Sequence, residues 1–381
     1  MSRPRKTISR TPPKVIGQAP VAPQPSRRRA PSTGRRERLP LDLALQGGGS
    51  HGAYTWGVLE RLLQEERLEI AGISGTSAGA MNAVAVAAGL MEGGREGART
   101  ALRRFWTRVG QASPFSAVPH GPWSDWLGPN NPWLAPMHAW TGWLGQQVSP
   151  YQSNPMNLNP LRDILLQTVD FERVRRCDKI GLFIAATQVS TGALRIFRQT
   201  ELTVDMVLAS ACLPLAFQAV EIDGQAYWDG GYAGNPSLLP LVVDSPADDL
   251  LLVQINPAQR EATPTSARDI LDRINEVTFN ASLVKELRNI ALLQALLKQE
   301  GHPPDAAGRG VFDRVGRLRV HRLEASADLA ALGASSKMNT HPGFLAELHR
   351  LGHAAADAWL RQHGADLGRR SSIDLAREAL P

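Results

Sequence analysis

Three glycine-flanked motifs in this chain carry residue types that could transfer an acyl group. Gly75-Thr76-Ser77-Ala78-Gly79 has the G-x-S-x-G spacing. A serine held on a sharp strand-to-helix turn exposes its hydroxyl, and Gly75 and Gly79 keep side chains clear of an approaching carbonyl. Upstream lies Gly47-Gly48-Gly49-Ser50-His51-Gly52. The backbone N–H groups of such a run can point at a developing oxyanion. Gly47, Gly48, Gly49 and Gly52 are the candidates, with Gly48 and Gly49 foremost. Downstream, Asp229-Gly230-Gly231 sets a carboxylate between a strand end and two glycines, where it can be held beside the serine. A phosphate-binding reading of the Gly47–Gly52 run fails, because no Lys-Ser/Thr follows it and no G-x-G-x-x-G spacing exists.

The elements that must position these motifs are legible. An apolar run predicts a strand over 39–45 that feeds the glycine turn. Periodicity predicts a helix over 53–66, with Val58, Leu59, Leu62 and Leu63 on one face and Glu60, Arg61, Gln64 and Glu65 opposite. A second strand over 68–74 delivers Ser77, and an alanine-rich helix over 78–90 follows. Further on, the pattern predicts a helix over 161–169, a hairpin of strands over 179–188 and 194–198, and a helix over 204–212. Asp223-Gly224 marks a tight turn between strands over 219–222 and 225–228, and the second strand ends at Asp229. A buried strand over 250–255, a long helical stretch over 270–299, a late strand over 318–323 and a final helix over 342–362 complete the reading. Strands alternating with helices argue an α/β fold with a mostly parallel central sheet. An α/β-hydrolase places several strands before its nucleophile and ends on a catalytic histidine. Here one strand and one helix precede the Ser77 strand.

In that order, the motifs resemble those of the patatin-like phospholipases. The resemblance spans roughly residues 40–240. It rests on G-G-G-x-x-G, G-T-S-A-G-A and D-G-G, on Asn235-Pro236, and on the stretch Ala209-Ser210-Ala211-Cys212-Leu213-Pro214. It implies a three-layer α/β fold with helices on both faces of the sheet. It also implies a lipid acyl hydrolase of the phospholipase A or lysophospholipase type, working through a Ser77–Asp229 dyad and an acyl-enzyme. Gly230, Gly231 and Asn235 are expected to support the site, and no cofactor or metal is expected. The chain departs from the family at His51, where arginine or lysine is common. A histidine there could orient the loop, with a charge that varies across the physiological pH range. An esterase or thioesterase on another acyl substrate is the alternative enzyme, and a catalytically silent membrane-associated scaffold the alternative of another class.

Composition sets the surroundings. Cys177 and Cys212 give no disulfide framework, so a reducing, cytoplasmic setting is expected. No apolar run is long enough to span a bilayer, and no apolar segment follows the basic N-terminus as a signal peptide would require. The net charge of +6 hides an asymmetry. Residues 1–38 hold eleven basic residues against Glu37 alone, while the remainder is mildly acidic. This Pro- and Ser-rich tail is read as a disordered leader able to contact anionic lipid, with no nucleic-acid partner expected. Residues 113–160 hold nine prolines and five tryptophans, namely Trp123, Trp126, Trp133, Trp140 and Trp143. Tryptophan favours membrane–water boundaries, so this insertion is read as a docking surface or lid beside an acyl pocket. The expected domains are the tail 1–38, a catalytic domain 39–257 and a mainly helical extension 258–381. Phospholipid or another acyl ester is the expected substrate, met with the protein peripheral on a membrane.

Overall fold

The computed structural model describes residues 38–112, 148–260, 263–301, 303–305, 308, 310–325, 329 and 332–379. Expectations for residues 1–37 and 113–147 lie outside the described residues.

The strands and helices follow the hydrophobic pattern closely. β1 (Leu39–Leu45) enters the glycine run, which forms a 3-10 turn over Gly49–His51 and passes into α1 (Gly52–Gln64). β2 (Leu68–Thr76) leads to Ser77 and α2 (Ala78–Gln111). The α2 span is two helical segments meeting at Gly93 and Gly94, whose backbone is non-helical; the first segment ends close to the expected Leu90. Short helices follow as α3 (Pro150–Ser153), α4 (Pro160–Thr168) and α5 (Phe171–Arg175). Of these, α3 and α5 were not expected, being too short to show a period. Both are capped locally, α3 by a Ser149–Gln152 capping box and α5 by Asp170.

β3 (Gly181–Gln188) pairs antiparallel with β4 (Leu194–Arg198), the expected hairpin. Next come α6 (Val204–Ser210), β5 (Val220–Ile222) and β6 (Gln225–Asp229). Asp223 and Gly224 both take positive φ between β5 and β6, as a two-residue hairpin turn requires. The remainder comprises α7 (Leu239–Asp244), β7 (Asp249–Gln254), α8 (Ala267–Gln299), α9 (Val311–Arg317), β8 (Arg319–Glu324), α10 (Pro342–His363) and α11 (Leu375–Ala379).

Among the described residues the sheet has eight strands, in the order β5-β6-β3-β2-β1-β7-β8, with β4 also on β3. Pairings β3–β2, β2–β1, β1–β7 and β7–β8 are parallel, and β3–β6 and β5–β6 antiparallel. The late strand β8 is thus an edge of the same sheet. Side-chain alternation separates two cores. Leu41, Leu43 and Leu45 of β1 and Leu251 and Val253 of β7 pack under α1, α2 and α10. Ala44, Leu250 and Leu252 face the opposite way, toward Leu241 of α7, Leu283, Leu287 and Ile290 of α8, and Val315 of α9. Apolar faces on both sides of a parallel sheet must each be covered by helices, and the result is a three-layer α/β fold. No helix among the described residues is long and apolar enough to cross a membrane.

Candidate active site

The motif residues gather at the C-terminal ends of the parallel strands, where loops of an open α/β sheet form a crevice. Gly47 follows β1, Ser77 follows β2, and Asn256 follows β7. Asp229 closes β6 opposite Ala186 of β3.

Ser77 sits at the β2–α2 junction with φ 54° and ψ −120°. A non-glycine residue adopts positive φ only when its surroundings hold it there. Its N–H donates to Ser210 Oγ at 2.9 Å, and its carbonyl accepts Met81 N–H at 3.1 Å. The turn is crowded: a Cβ on Gly79 would lie 2.3 Å from the Leu45 carbonyl oxygen. A Cβ on Gly47 would lie 2.7 Å from Ser77 Cβ, so the glycine run touches the serine directly.

Asp229 is buried at 1% exposure. Gly231 N–H donates to its Oδ1 at 2.7 Å, while Oδ2 has no hydrogen-bond partner among the described residues. Its own N–H donates to the Cys212 carbonyl at 2.8 Å, and its carbonyl accepts Thr187 Oγ1–H at 2.8 Å. Burial pushes the carboxyl up to about 7; the Gly231 N–H, the neighbouring Ser77 hydroxyl and the Lys337 charge each pull it back. A carboxylate poised near neutrality can both take and return a proton at working pH.

The glycine run is pinned by side-chain amides, of which the sequence reading expects only Asn235. Gly47 N–H donates to Asn235 Oδ1 at 2.7 Å, and Asn256 Nδ2 donates to the Gly47 carbonyl at 2.8 Å. Gln46 Oε1 accepts the Ile255 and Asn256 N–H groups at 3.0 and 2.9 Å, while its Nε2 donates to Asn280 Oδ1 at 2.9 Å. Asn235 also donates to the Phe279 carbonyl at 3.2 Å, and its bond to Pro236 is cis. Gly52 N–H turns back onto the Gly49 and Ser50 carbonyls. Of the four glycine amides, Gly47 and Gly52 are therefore engaged. Among the described residues, no acceptor takes the Gly48 or Gly49 N–H.

His51 is buried, with Nε2 2.7 Å from Ser336 Oγ. Burial, and then the Lys337 charge, lower it to about 4. The expectation that its charge varies in the physiological range is thereby corrected: desolvation keeps this imidazole neutral. Gly230 and Gly231 pack against the Ala185 carbonyl and the Phe279 ring. Cys212 is a buried free thiol that burial pushes up to about 11. The sequence reading had not assigned site roles to Gln46, Ser210, Asn256, Asn280, Ser336 and Lys337. Ser210 ends α6 within the motif-like stretch 209–214 and Gln46 adjoins the glycine run, so position could have flagged them. Nothing local flags Ser336 or Lys337.

Among the described residues, no group of three or more His, Cys, Asp or Glu side chains is gathered to hold a metal ion.

The Patatin family model, described as patatin-like phospholipase, matches residues 43–242, just over half of the chain. No curated protein matches. Among solved structures, VipD from Legionella pneumophila is 13% identical at a TM-score of 0.40, covering 90% of this chain and 73% of that one. The type III effector ExoU is 14% identical at a TM-score of 0.31, and this chain covers 53% of it. ExoU in complex with SpcU, from the type III secretion system of Pseudomonas aeruginosa, is 15% identical at a TM-score of 0.27. The structural likenesses are thus distant, whereas the family match spans the glycine run, the Ser77 turn and Asp229 together. The chain belongs to the patatin-like phospholipase family, whose members hydrolyse lipid esters.

Proposed function

We propose that this protein hydrolyses the carboxylic esters of phospholipids or lysophospholipids through a Ser77–Asp229 dyad. The observation that carries the reading is the buried Asp229 carboxyl beside Ser77, with Oδ1 held by Gly231 and Oδ2 without a hydrogen-bond partner among the described residues. In this mechanism Asp229 accepts the Ser77 proton as the hydroxyl attacks the ester carbonyl. The tetrahedral oxyanion forms against the Gly48 and Gly49 N–H groups, at the start of α1 where the helix dipole favours negative charge. Asp229 then returns the proton to the leaving alcohol. Water deacylates the enzyme by the same route, releasing a fatty acid and restoring Ser77. Asn235, Asn256 and Gln46 hold the turn still, so little reorganisation is needed at the moment of reaction.

Exposed apolar side chains on the segments that build the site favour a lipid substrate. Tyr232 lies three residues beyond Asp229, Leu215 follows the Cys212 turn, and Met338 adjoins Lys337; all three are exposed. We assign residues 39–257 as the catalytic domain and 258–381 as an extension packed on it. Peripheral membrane contact through these apolar side chains, together with residues 1–38 and 113–160, completes the proposal.

The test is hydrolysis of phosphatidylcholine and of a p-nitrophenyl ester by wild type, Ser77→Ala and Asp229→Asn. Each substitution is expected to lower kcat/KM by ~10³-fold or more while the protein stays folded, and Ser77→Ala to lose labelling by a fluorophosphonate. Retained turnover in Ser77→Ala would remove the dyad from the reading.

A further inference from the structure

The glycine run does not stand alone at the mouth of the site. The 3-10 turn Ala334–Met338 packs on it from some 285 residues away in sequence. Ser336 Oγ meets His51 Nε2 at 2.7 Å, and the Lys337 carbonyl lies so close that a Cβ on Gly49 would come within 2.3 Å of its oxygen. Lys337 itself turns inward. Its Nζ donates to Asn275 Oδ1 at 3.2 Å and stands 5.8 Å from the centroid of the Phe279 ring. The edge of that ring packs on Gly231, the residue that holds Asp229 Oδ1. Lys337 also lines a small cavity with His51, Asn256 and Glu276.

The glycine run brings no charge of its own, since His51 is buried and neutral. Asp229 must carry negative charge to accept the Ser77 proton, and a cation in a poorly solvated site acts on a carboxylate at longer range than one in water. The charged groups facing Lys337 are Glu276 and Asp272 on α8 and Asp229 on β6. Glu276 is shared with Arg260 at 2.5 Å and Arg273 at 3.1 Å, which takes up much of its charge. Asp229 is faced by Ser77, Gly231 and Lys337, and its charge in turn bears on Tyr232 and Cys212.

We propose that Lys337 is a positioning residue of the acyl-transfer site, supplying from the C-terminal extension a positive charge that faces Asp229. The inference rests on the Ser77–Asp229 reading and deepens it. It makes residues beyond the family match part of the working site.

The test is the pH profile of kcat/KM for the full chain with Lys337→Gln, Lys337→Met and Lys337→Arg. Removing the charge lets Asp229 hold its proton to higher pH. The acid limb of both neutral variants is therefore expected to move up by about half to one pH unit, so that kcat/KM near pH 6.5 falls ~3- to 10-fold more than at pH 9. Lys337→Arg should restore the wild-type limb. Lys337→Met keeps the apolar stem, so it reports even if the glutamine variant folds poorly. An unmoved limb in a folded neutral variant overturns the proposal, as does a loss equal at every pH, which would mark a structural role. Either result leaves the dyad standing, because the dyad fails if Ser77→Ala or Asp229→Asn retains turnover, or if wild type shows no acid limb.

Discussion

Asp229 closes β6 near the C-terminal ends of the parallel strands, and Asp249 opens β7 at their N-terminal ends. Both are buried, at 1% and 3% exposure. Their partners differ. Asp249 Oδ2 accepts Arg319 at 2.7 Å, and its Oδ1 accepts Arg319 and the Gly368 N–H at 3.0 Å each, with His321 Nε2 2.9 Å away. Burial alone would raise this carboxyl, but His321 and Arg319 outweigh it and hold it at about 2. Asp229 has one backbone donor, and burial wins, at about 7. One fold thus holds the same residue as a low-lying carboxylate that ties β7 to β8 and as a carboxyl that burial lifts to about 7. Surface exposure alone does not distinguish the two: Asp229 lies deeper beneath its surroundings, while Asp249 has more donors, among them the charged Arg319.

The largest effects that would break this contrast come from removing each carboxylate. Asp249→Ala leaves Arg319 facing a buried gap and is expected to cost about 3 kcal/mol, read by denaturant unfolding, while the folded fraction keeps its turnover. Asp229→Asn is expected to abolish turnover with no loss of melting temperature at pH 8, and a gain is consistent with the sign. A folded-state pKa raised above its unfolded value means that the folded protein holds a proton the unfolded chain gives up. Asp229 therefore costs stability as pH rises from about 4 to about 7, and asparagine removes that cost. If Asp249→Ala lost turnover in folded protein, or Asp229→Asn kept it, the two roles would have been misassigned.

The next effect in size is the pH profile. A base titrating near 7 must be ionised to act, so kcat/KM should rise as pH increases through about 7 in wild type. An acid limb near 4 would mean that Asp229 is better solvated than its burial implies.

Asp42 sharpens the comparison with the smallest effect. It is buried in β1, accepts the Ser245 hydroxyl at 2.5 Å, and burial lifts it to about 8 despite that bond. It lies toward the end of the sheet opposite Ser77, so a raised pKa by itself makes no active site. The same sign holds: its stability cost grows as pH rises from about 4 to about 8. Asp42→Asn should therefore flatten the fall in stability between pH 5 and 8.5 by about 1 kcal/mol or more, with turnover unchanged. A parallel pair of melting curves would show the cost to be absent.

Much of this was readable before any coordinates. The strands bearing Gly47, Ser77 and Asp229 show as short apolar runs, and the turns show as glycines, because both signals are local. The helices α3 and α5 escaped notice because four or five residues are too few for a period. Gly48 and Gly49 are already foremost in the glycine run by sequence; what no spacing shows is that the Asn235 side chain engages the Gly47 N–H and that the Gly49 and Ser50 carbonyls engage the Gly52 N–H. The charge of His51 was misjudged because a ring's solvation depends on what covers it, here the turn at Ser336.

Residue type and spacing alone therefore name the proposed nucleophile, its proposed carboxylate and the glycine turn, because the strand and turn signals that mark each lie within a few residues of it. The acidity of Asp229, the neutrality of His51, the partners that engage the Gly47 and Gly52 amides and the arrival of Lys337 belong to the folded chain. They depend on desolvation and on groups far apart in sequence, which no local pattern records.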